Sequence, residues 1–252
     1  MGVGIDEAIE VFVRGFSFTR SRTHPYVPER IGPAWVMRDA PRRGKSPSYR
    51  RAEWTGHGVA PAELDRLAQK HTPGRYAICA VRTPDEPEDP LRSAYKQLGY
   101  RLGGTEAVMV HHLGRIPRSP AQARVTRVTT PALAERLAVA MGNRPLDAAA
   151  IAPDAPMRQY VALDADEPVG WVQSIAVQVD GGASLTWCAD MFVLPSHRRR
   201  GIGRAMLARM LRDDRTRGAA ASVLTASHDG AKLYPVVGYE QIGELFVYTR
   251  RR

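Results

Sequence analysis

The segment Met191-Phe-Val-Leu-Pro-Ser-His-Arg198-Arg-Arg-Gly201-Ile-Gly203-Arg-Ala-Met206 limits this chain to folds in which a strand hands over directly to a helix. An apolar run ends at Leu194, a short basic loop follows, and from Gly201 the apolar residues take helical spacing. Ile202, Met206, Leu207, Met210 and Leu211 share one face, while Arg204, Arg209, Arg212 and Arg215 lie on others. Two glycines at the junction let the backbone approach a ligand closely and adopt turns closed to other residues. The first helical turn leaves N–H groups unpaired at the positive end of the helix dipole, which makes an anion site. Each amide bonded to a charged phosphate oxygen contributes about 1.5–3 kcal/mol, so roughly three or four hold a pyrophosphate without a metal. Arg198, Arg199, Arg200 and Arg204 add charge around it. A Walker loop is excluded by the missing Gly-Lys-Ser/Thr. A dinucleotide fingerprint is excluded by the missing third glycine and the late position in the chain.

The surrounding pattern is a mixed α/β unit. Ile116-Pro117-Arg118-Ser119-Pro120 reads as a linker, dividing the chain into domains at 1–118 and 119–252. After it, Arg124–Thr129 is predicted as a strand and Pro131–Met141 as a helix capped by Thr130. Strands follow at Gln159–Leu163, Val169–Val179 and Leu185–Leu194, then the helix Gly201–Arg217. A strand at Ser222–Thr225, a helix at Gly230–Val237 and a strand at Tyr239–Thr249 complete the half. In the first half the pattern predicts helices at Glu7–Phe18, Pro61–His71 and Leu91–Leu98. Strands are predicted there at Ala34–Arg38, Tyr49–Thr55, Tyr76–Arg82 and Thr105–His111, with a solvated loop over Thr83–Pro90. Both halves close on Tyr-x-x-x-Gly-Tyr, at Tyr95–Tyr100 and Tyr234–Tyr239, each after a helix and before a strand. Either the chain is internally duplicated or two unrelated helices end alike on glycine.

Composition narrows the partners. No apolar run approaches the roughly 18 residues of a membrane span, so no membrane partner is expected. The two cysteines, Cys79 and Cys188, sit in apolar runs as buried thiols, which makes the cytoplasm the default location. The net charge of +10 is densest between Arg14 and Arg51, where ten basic residues meet only Glu29 and Asp39. Such a field suits a polyphosphate cofactor as well as nucleic acid. Nucleic acid is the disfavoured partner, because no zinc-finger or aromatic–basic recognition pattern accompanies the charge.

The loop resembles the acetyl-CoA loop of the GNAT (GCN5-related N-acetyltransferase) superfamily, Arg/Gln-x-x-Gly-x-Gly/Ala after a strand ending Val-x-Pro. Here those positions are Val193, Pro195, Arg198, Gly201 and Gly203. Ser227-His-Asp-Gly-Ala-Lys-Leu-Tyr234-Pro-Val-Val-Gly238-Tyr239 is similar to the family's other stretch, Asn-x-x-Ala-x-x-Leu-Tyr-x-x-x-Gly-Phe, with Ser227 and Gly230 departing from it. The resemblance covers roughly residues 122–252. It implies an α/β mixed-sheet GNAT fold, an acyl-CoA N-acyltransferase activity with acetyl-CoA as co-substrate and no metal, and a small-molecule amine as acceptor. The resemblance further implies that Arg198, Arg199, Arg200, Gly201, Ile202, Gly203 and Arg204 hold the pyrophosphate. The strand backbone at Phe192 and Val193 would receive the pantetheine arm, the amide of Val193 polarising the thioester carbonyl. Tyr234 would donate to the departing thiolate.

An amine with a pKa near 10.4 is about one part in a thousand neutral at pH 7, so a proton must be removed. Asp190 is the candidate base, ahead of His197, His228 and a water chain. Its alternative is a strand-end acid paired with arginine or facing water, and Tyr234's is a tyrosine that packs its helix on the sheet. The first half shows no Arg-x-x-Gly-x-Gly between strand and helix; Arg42-Arg-Gly44-Lys-Ser-Pro47 is spoiled by Pro47 and lacks a following amphipathic helix. It is expected to be a degenerate GNAT-like copy that has lost cofactor binding and helps shape the acceptor pocket. Alternatives are a non-catalytic acyl-CoA sensor, a protein-amine acetyltransferase and a nucleic-acid-binding protein. A homodimer is an allowed assembly.

Overall fold

The structure, a computed structural model, describes residues 2–22, 24–40, 49–119, 122–228 and 230–250. They group into two compact units. The first comprises the chain up to Val110 with Thr225–Ala231 and the residues from Gln241; the second comprises His111–Leu224 with Lys232–Glu240.

The first unit runs α1 (Ile5–Arg20), β1 (Tyr26–Ile31), β2 (Ala34–Asp39), β3 (Tyr49–His57), α2 (Pro61–His71), β4 (Gly74–Arg82), α3 (Glu88–Gln97) and β5 (Tyr100–His111). Helix α1 starts earlier than its apolar periodicity requires, because the Glu7 carboxylate reaches back to the amide of Gly4 at 3.0 Å. Strand β1 escapes the sequence pattern because it carries Pro28 and alternates weakly; it forms a hairpin with β2 across Gly32, at φ 60°. The acids of the Thr83–Pro90 stretch divide: Glu88 and Asp89 enter the first turn of α3, where the dipole favours them. Trp54, Tyr95, Phe246 and Tyr248 fill the core, and the Trp54 indole donates to Thr72 at 2.9 Å.

The last strand, β11 (Glu240–Arg250), is a member of this first unit. It pairs antiparallel with β4 from Glu244↔Arg82 to Thr249↔Ala77, so strand order here is β1-β2-β3-β4-β11-β5. Along the chain the two units divide after Val110, and Thr225–Ala231 and the residues from Gln241 belong with the first. Backbone hydrogen bonds, not chain order, place Gln241–Arg250.

The second unit runs β6 (Arg124–Arg127), α4 (Pro131–Met141), α5 (Ala148–Ile151), β7 (Met157–Asp164), β8 (Glu167–Gln178), β9 (Ser184–Val193), α6 (Ile202–Thr216) and β10 (Ala221–Ala226), in strand order β10-β9-β8-β7-β6. Thr130 caps α4 as expected, accepting from the amide of Leu133. The short helix α5, capped by Asp147, lies in a stretch too short for periodicity to reveal. Gly230–Val237 is not an α-helix but two 3₁₀ turns, Gly230–Lys232 and Tyr234–Val237. Pro235 removes a donor there and Gly238, at φ 102°, ends the second turn.

Helix α6 lies on β7, β8 and β9. Ile202, Met206, Leu207, Met210 and Leu211 are all buried, each contributing roughly 1.5–3 kcal/mol. Below them sits a polar cluster. Asp214, fully buried, accepts from Arg158 at 2.8 Å and Ser174 at 2.7 Å on one oxygen, and from Thr186 at 3.1 Å on the other. Burial pushes its carboxyl up, against the pull of Arg158 and the two hydroxyls. Removing one partner of a buried pair strands the other's charge, so Asp214→Ala is expected to lower unfolding stability by about 3–5 kcal/mol. Denaturant titration of the variant measures this; a loss below about 1 kcal/mol contradicts a buried ionised pair.

Candidate active site

The strand that enters the loop is deformed where the sequence shows only an apolar run. Strands β8 and β9 pair in one register from Gln178↔Ser184 to Gln173↔Ala189 and in another at Trp171↔Phe192 and Gly170↔Val193. The shift places Asp190 and Met191 opposite a single β8 residue, and Asp190 takes a left-handed φ of 52°. This is a β-bulge, which bends its strand and re-aims side chains. On its other edge β9 pairs in parallel with β10 only from Leu185↔Ala221 to Trp187↔Val223, then continues alone to Val193. A stretch of β9 backbone is thereby left open. The amide of Leu194 donates to Val169 of β8 at 2.9 Å, so by strand alternation the N–H and carbonyl of Val193 point to the open edge. Consistently, the Val193 carbonyl is reached from that side by Arg198 Nε at 3.0 Å.

The loop then builds a concave run of amides. Pro195–His197 make a 3₁₀ turn, Arg199 takes φ 65°, and Gly201, at φ 77°, caps α6. Left-handed and right-handed residues in succession aim neighbouring N–H groups at one point, the geometry of an anion nest. The first helical bond runs from Ala205 to the Gly201 carbonyl, leaving the amides of Ile202, Gly203 and Arg204 outside the helical ladder. The two glycines serve different ends. Gly201 supplies the left-handed backbone, whereas Gly203 has ordinary helical φ and lies close against two flexible side chains. A Cβ there would lie 3.0 Å from Met191 Cε and 3.2 Å from Leu233 Cδ2. Gly170 does likewise on β8, where a Cβ would meet the Phe192 carbonyl at 2.9 Å and Met206 Cε at 3.0 Å. It lets α6 settle onto the strand, and an isolated glycine inside a strand pattern is its sequence signal.

The arginines are not equivalent. Arg198 folds back onto β9 and lies 5.7 Å over the Phe192 ring, which stacks on Trp171 at 4.7 Å. Arg200 lies 4.0 Å from Asp164, which also faces His197 at 3.3 Å. Arg199 and Arg204 are exposed beside the nest. His197 also contacts Ser196 Oγ at 2.9 Å, and His228 is exposed. Asp190 is exposed on the bulge, where its type has a second explanation, since aspartate is among the residues that tolerate a left-handed backbone.

Tyr234 is buried in the 3₁₀ turn, edge-on to Tyr239 at 5.5 Å. Tyr239 is anchored by Ser222 at 2.8 Å and by the His111 ring at 5.3 Å. His111 Nδ1 accepts from Leu113 while Nε2 lies 3.1 Å from the Val237 carbonyl, an arrangement suited to the neutral ring, and burial pushes its pKa down. Burial also raises the Tyr234 hydroxyl well above its ordinary value, with Cys188 adding to the rise.

One residue of this region went unnoticed in the sequence. Gln173, paired with Ala189 beside the bulge, is fully buried, and neither atom of its amide has a hydrogen-bond partner. Its signal was faint: one amide in a long apolar strand.

The Acetyltransferase (GNAT) domain family matches residues 156–241, from β7 through the Tyr234 turn. Residues 156–241 are thereby identified as a GNAT domain. Among solved structures it is similar over 100% of its length to a GCN5-related N-acetyltransferase from Kribbella flavida, 97% of which is covered, with 20% identity and a TM-score of 0.63. A tandem GNAT protein from the clavulanic acid biosynthesis pathway matches 99% of the chain and 96% of itself, at 14% identity and TM-score 0.55. A GCN5-related N-acetyltransferase from Sphaerobacter thermophilus matches 86% of the chain and 76% of itself, at 18% identity and TM-score 0.52. None of the curated proteins matches. At these identities the structures establish the fold, that of two GNAT-like halves.

The duplicated Tyr-x-x-x-Gly-Tyr reflects that fold. Tyr95 meets Tyr100 edge-on at 5.8 Å, and Gly99, like Gly238, is left-handed, at φ 83°. Among its described residues the first unit nonetheless lacks both features of the GNAT loop. Its β3 and β4 stay paired from Ala52↔Tyr76 to His57↔Val81, at the ends of both strands, so no backbone is left open. Its helix α2 begins with Pro61, which has no N–H, and carries Glu63 in the first turn. The Arg42–Pro47 stretch lies outside the described residues. Of the basic stretch around it, Arg14 pairs with Glu10 at 2.7 Å and lies over Trp35, Arg30 lies over Trp35, Arg20 over Phe16, and Arg51 pairs with Glu53. Among the described residues no helix is long and apolar enough to cross a membrane, and no group of His, Cys, Asp and Glu is arranged to hold a metal.

Proposed function

We propose that the chain is an acetyl-CoA-dependent N-acetyltransferase acting on a primary amine of a small molecule by direct attack on the thioester. The observation that carries this reading is the conjunction of an amide nest at Arg199–Arg204 with an open β9 edge at Val193. The nest fits two linked phosphates, and the open edge fits an extended amide-bearing arm. Acetyl-CoA supplies the acyl group as a thioester. The chain's residues do the rest. Phe192 and Val193 lie on the open stretch, and the N–H of Val193 is oriented to polarise a carbonyl. Arg198 steadies that stretch from outside, while Arg199, Arg200 and Arg204 neutralise phosphate charge.

Tyr234 donates a hydrogen bond to the leaving sulfur. A free phenol is already about 1.5 pKa units less acidic than a thiol, and burial widens the gap. Hydrogen bonding is therefore favoured over complete proton transfer. Asp190, on the bulge, takes the proton of the amine. The first unit, with its strands closed and its helix blunted by Pro61 and Glu63, is a silent copy.

The test is coenzyme A release by the purified chain with acetyl-CoA and a panel of small amines and lysine peptides. Turnover with at least one small amine at more than ten times the hydrolysis rate is expected. Binding of acetyl-CoA without turnover on any amine makes it a sensor. Turnover on peptides alone makes it a protein acetyltransferase.

A further inference from the structure

A second basic site lies on the second unit, remote from the phosphate loop. Arg127, Arg209 and Arg217 line a cleft of about 430 Å³ together with Asp213 and the threonines 126, 129 and 216. Arg127 ends β6, and the others lie on or just beyond the C-terminal half of α6. At 1.5 Å per residue, Arg217 is about 20 Å along the helix from Gly203.

The charges there are poorly matched. Arg127 Nη1 and Arg217 Nη2 donate to the same neutral acceptor, the Pro153 carbonyl, at 3.2 and 2.7 Å. A second Arg127 nitrogen donates to the Ala152 carbonyl at 2.6 Å. The one lining carboxylate, Asp213, is engaged through both oxygens by Arg209 Nε at 3.1 Å. Three guanidinium groups thus face one acid. Arg158 adjoins them: it lines a neighbouring cleft of about 180 Å³ that Arg217 also lines. It is 4% exposed, and its Nε, like that of Arg127, is buried without a partner. Through their other nitrogens Arg158 bonds Asp214 and Arg127 bonds two carbonyls, so each keeps a single buried N–H without an acceptor, a costly state. Burial first, and the nearby Arg217 second, pull the Arg127 pKa down.

We propose that this cleft binds a small polyanion through its phosphate or carboxylate oxygens, at a site separate from the one that holds coenzyme A. Guanidinium forks match such oxygens two at a time, and the threonine hydroxyls supply further donors. The excess of guanidinium over carboxylate selects a ligand of charge near −2. A cleft of this size takes a metabolite and not merely a simple ion. The inference uses none of the residues of the acetyltransferase site and stands whether or not the chain proves to be an enzyme.

The test is calorimetric titration of the full chain with citrate and with inorganic phosphate, in the presence and absence of saturating coenzyme A. With coenzyme A saturating, at least one probe is expected to bind at a single site, more weakly as salt is raised. Arg217→Glu, at an exposed helix end, is expected to weaken that binding tenfold or more. Asp213→Asn is expected to strengthen it two- to fivefold, and Gly203→Asp to leave it unchanged. Opposite effects from two neighbouring variants separate recognition from misfolding. Failure of both probes at millimolar concentration overturns the proposal. So does binding that Arg217→Glu leaves intact or that coenzyme A displaces.

Discussion

Gly203→Asp is expected to weaken coenzyme A binding at least a hundredfold while the chain stays folded. The substitution puts a carboxylate into the first turn of α6, among the amides of Ile202, Gly203 and Arg204 that the helix leaves unused. Losing two amide–phosphate bonds at about 1.5 kcal/mol each gives about 3 kcal/mol, a factor near one hundred, before like-charge repulsion is added. The steric cost is small, since the atoms nearest the new Cβ are the flexible ends of Met191 and Leu233. Gly203→Ala separates the two effects, because it adds the Cβ without the charge; a loss of no more than about tenfold is expected. Calorimetry with coenzyme A, beside thermal melts of each variant, reads both. Retention of wild-type affinity by the aspartate variant removes the nest from the binding site, and with it the basis of the acetyltransferase reading.

Tyr234→Phe is expected to lower turnover by about 10²–10⁴ with little change in coenzyme A affinity. The ring would still pack against Tyr239 and keep the 3₁₀ turn in place, so the variant removes only the hydroxyl. Because burial raises that hydroxyl's pKa, it stays protonated throughout the alkaline range in which the amine becomes neutral. Turnover should therefore rise with pH toward the amine's own pKa, with no loss near 10 from ionisation of Tyr234. Steady-state kinetics with the best amine from the panel, across pH, measure both features. An unchanged rate for the phenylalanine variant leaves Tyr234 with its packing role alone.

What could be read from residues was whatever depends on neighbours in the chain. The helix Pro131–Met141 with its Thr130 cap, the helix Pro61–His71 and the buried stripe of α6 all appear where spacing and end signals place them. The loop between β9 and α6 was legible too, because strand, glycines and helix start are consecutive. Its two glycines looked alike, however. That Gly201 answers to a left-handed φ and Gly203 to the side chains of Met191 and Leu233 depends on atoms distant in sequence. The 3₁₀ turns at Gly230–Val237 were misjudged because periodicity over so few residues does not separate the helix types, although Pro235 was a warning.

The sequence by itself determined most of the order of elements, the strand–loop–helix junction around Gly201 and the lack of a matching Arg-x-x-Gly-x-Gly in the first half. Tertiary structure alone decided which strand joins which sheet, that β9 bulges at Asp190 and parts from β10 after Trp187, and that β3 and β4 stay closed. It also placed β11 beside β4, a strand distant from it in the chain. Local propensity is set by contacts a few residues apart. Strand pairing and register are chosen by hydrogen bonds and packing between segments that the chain keeps far apart, and an isolated segment carries no record of its partner.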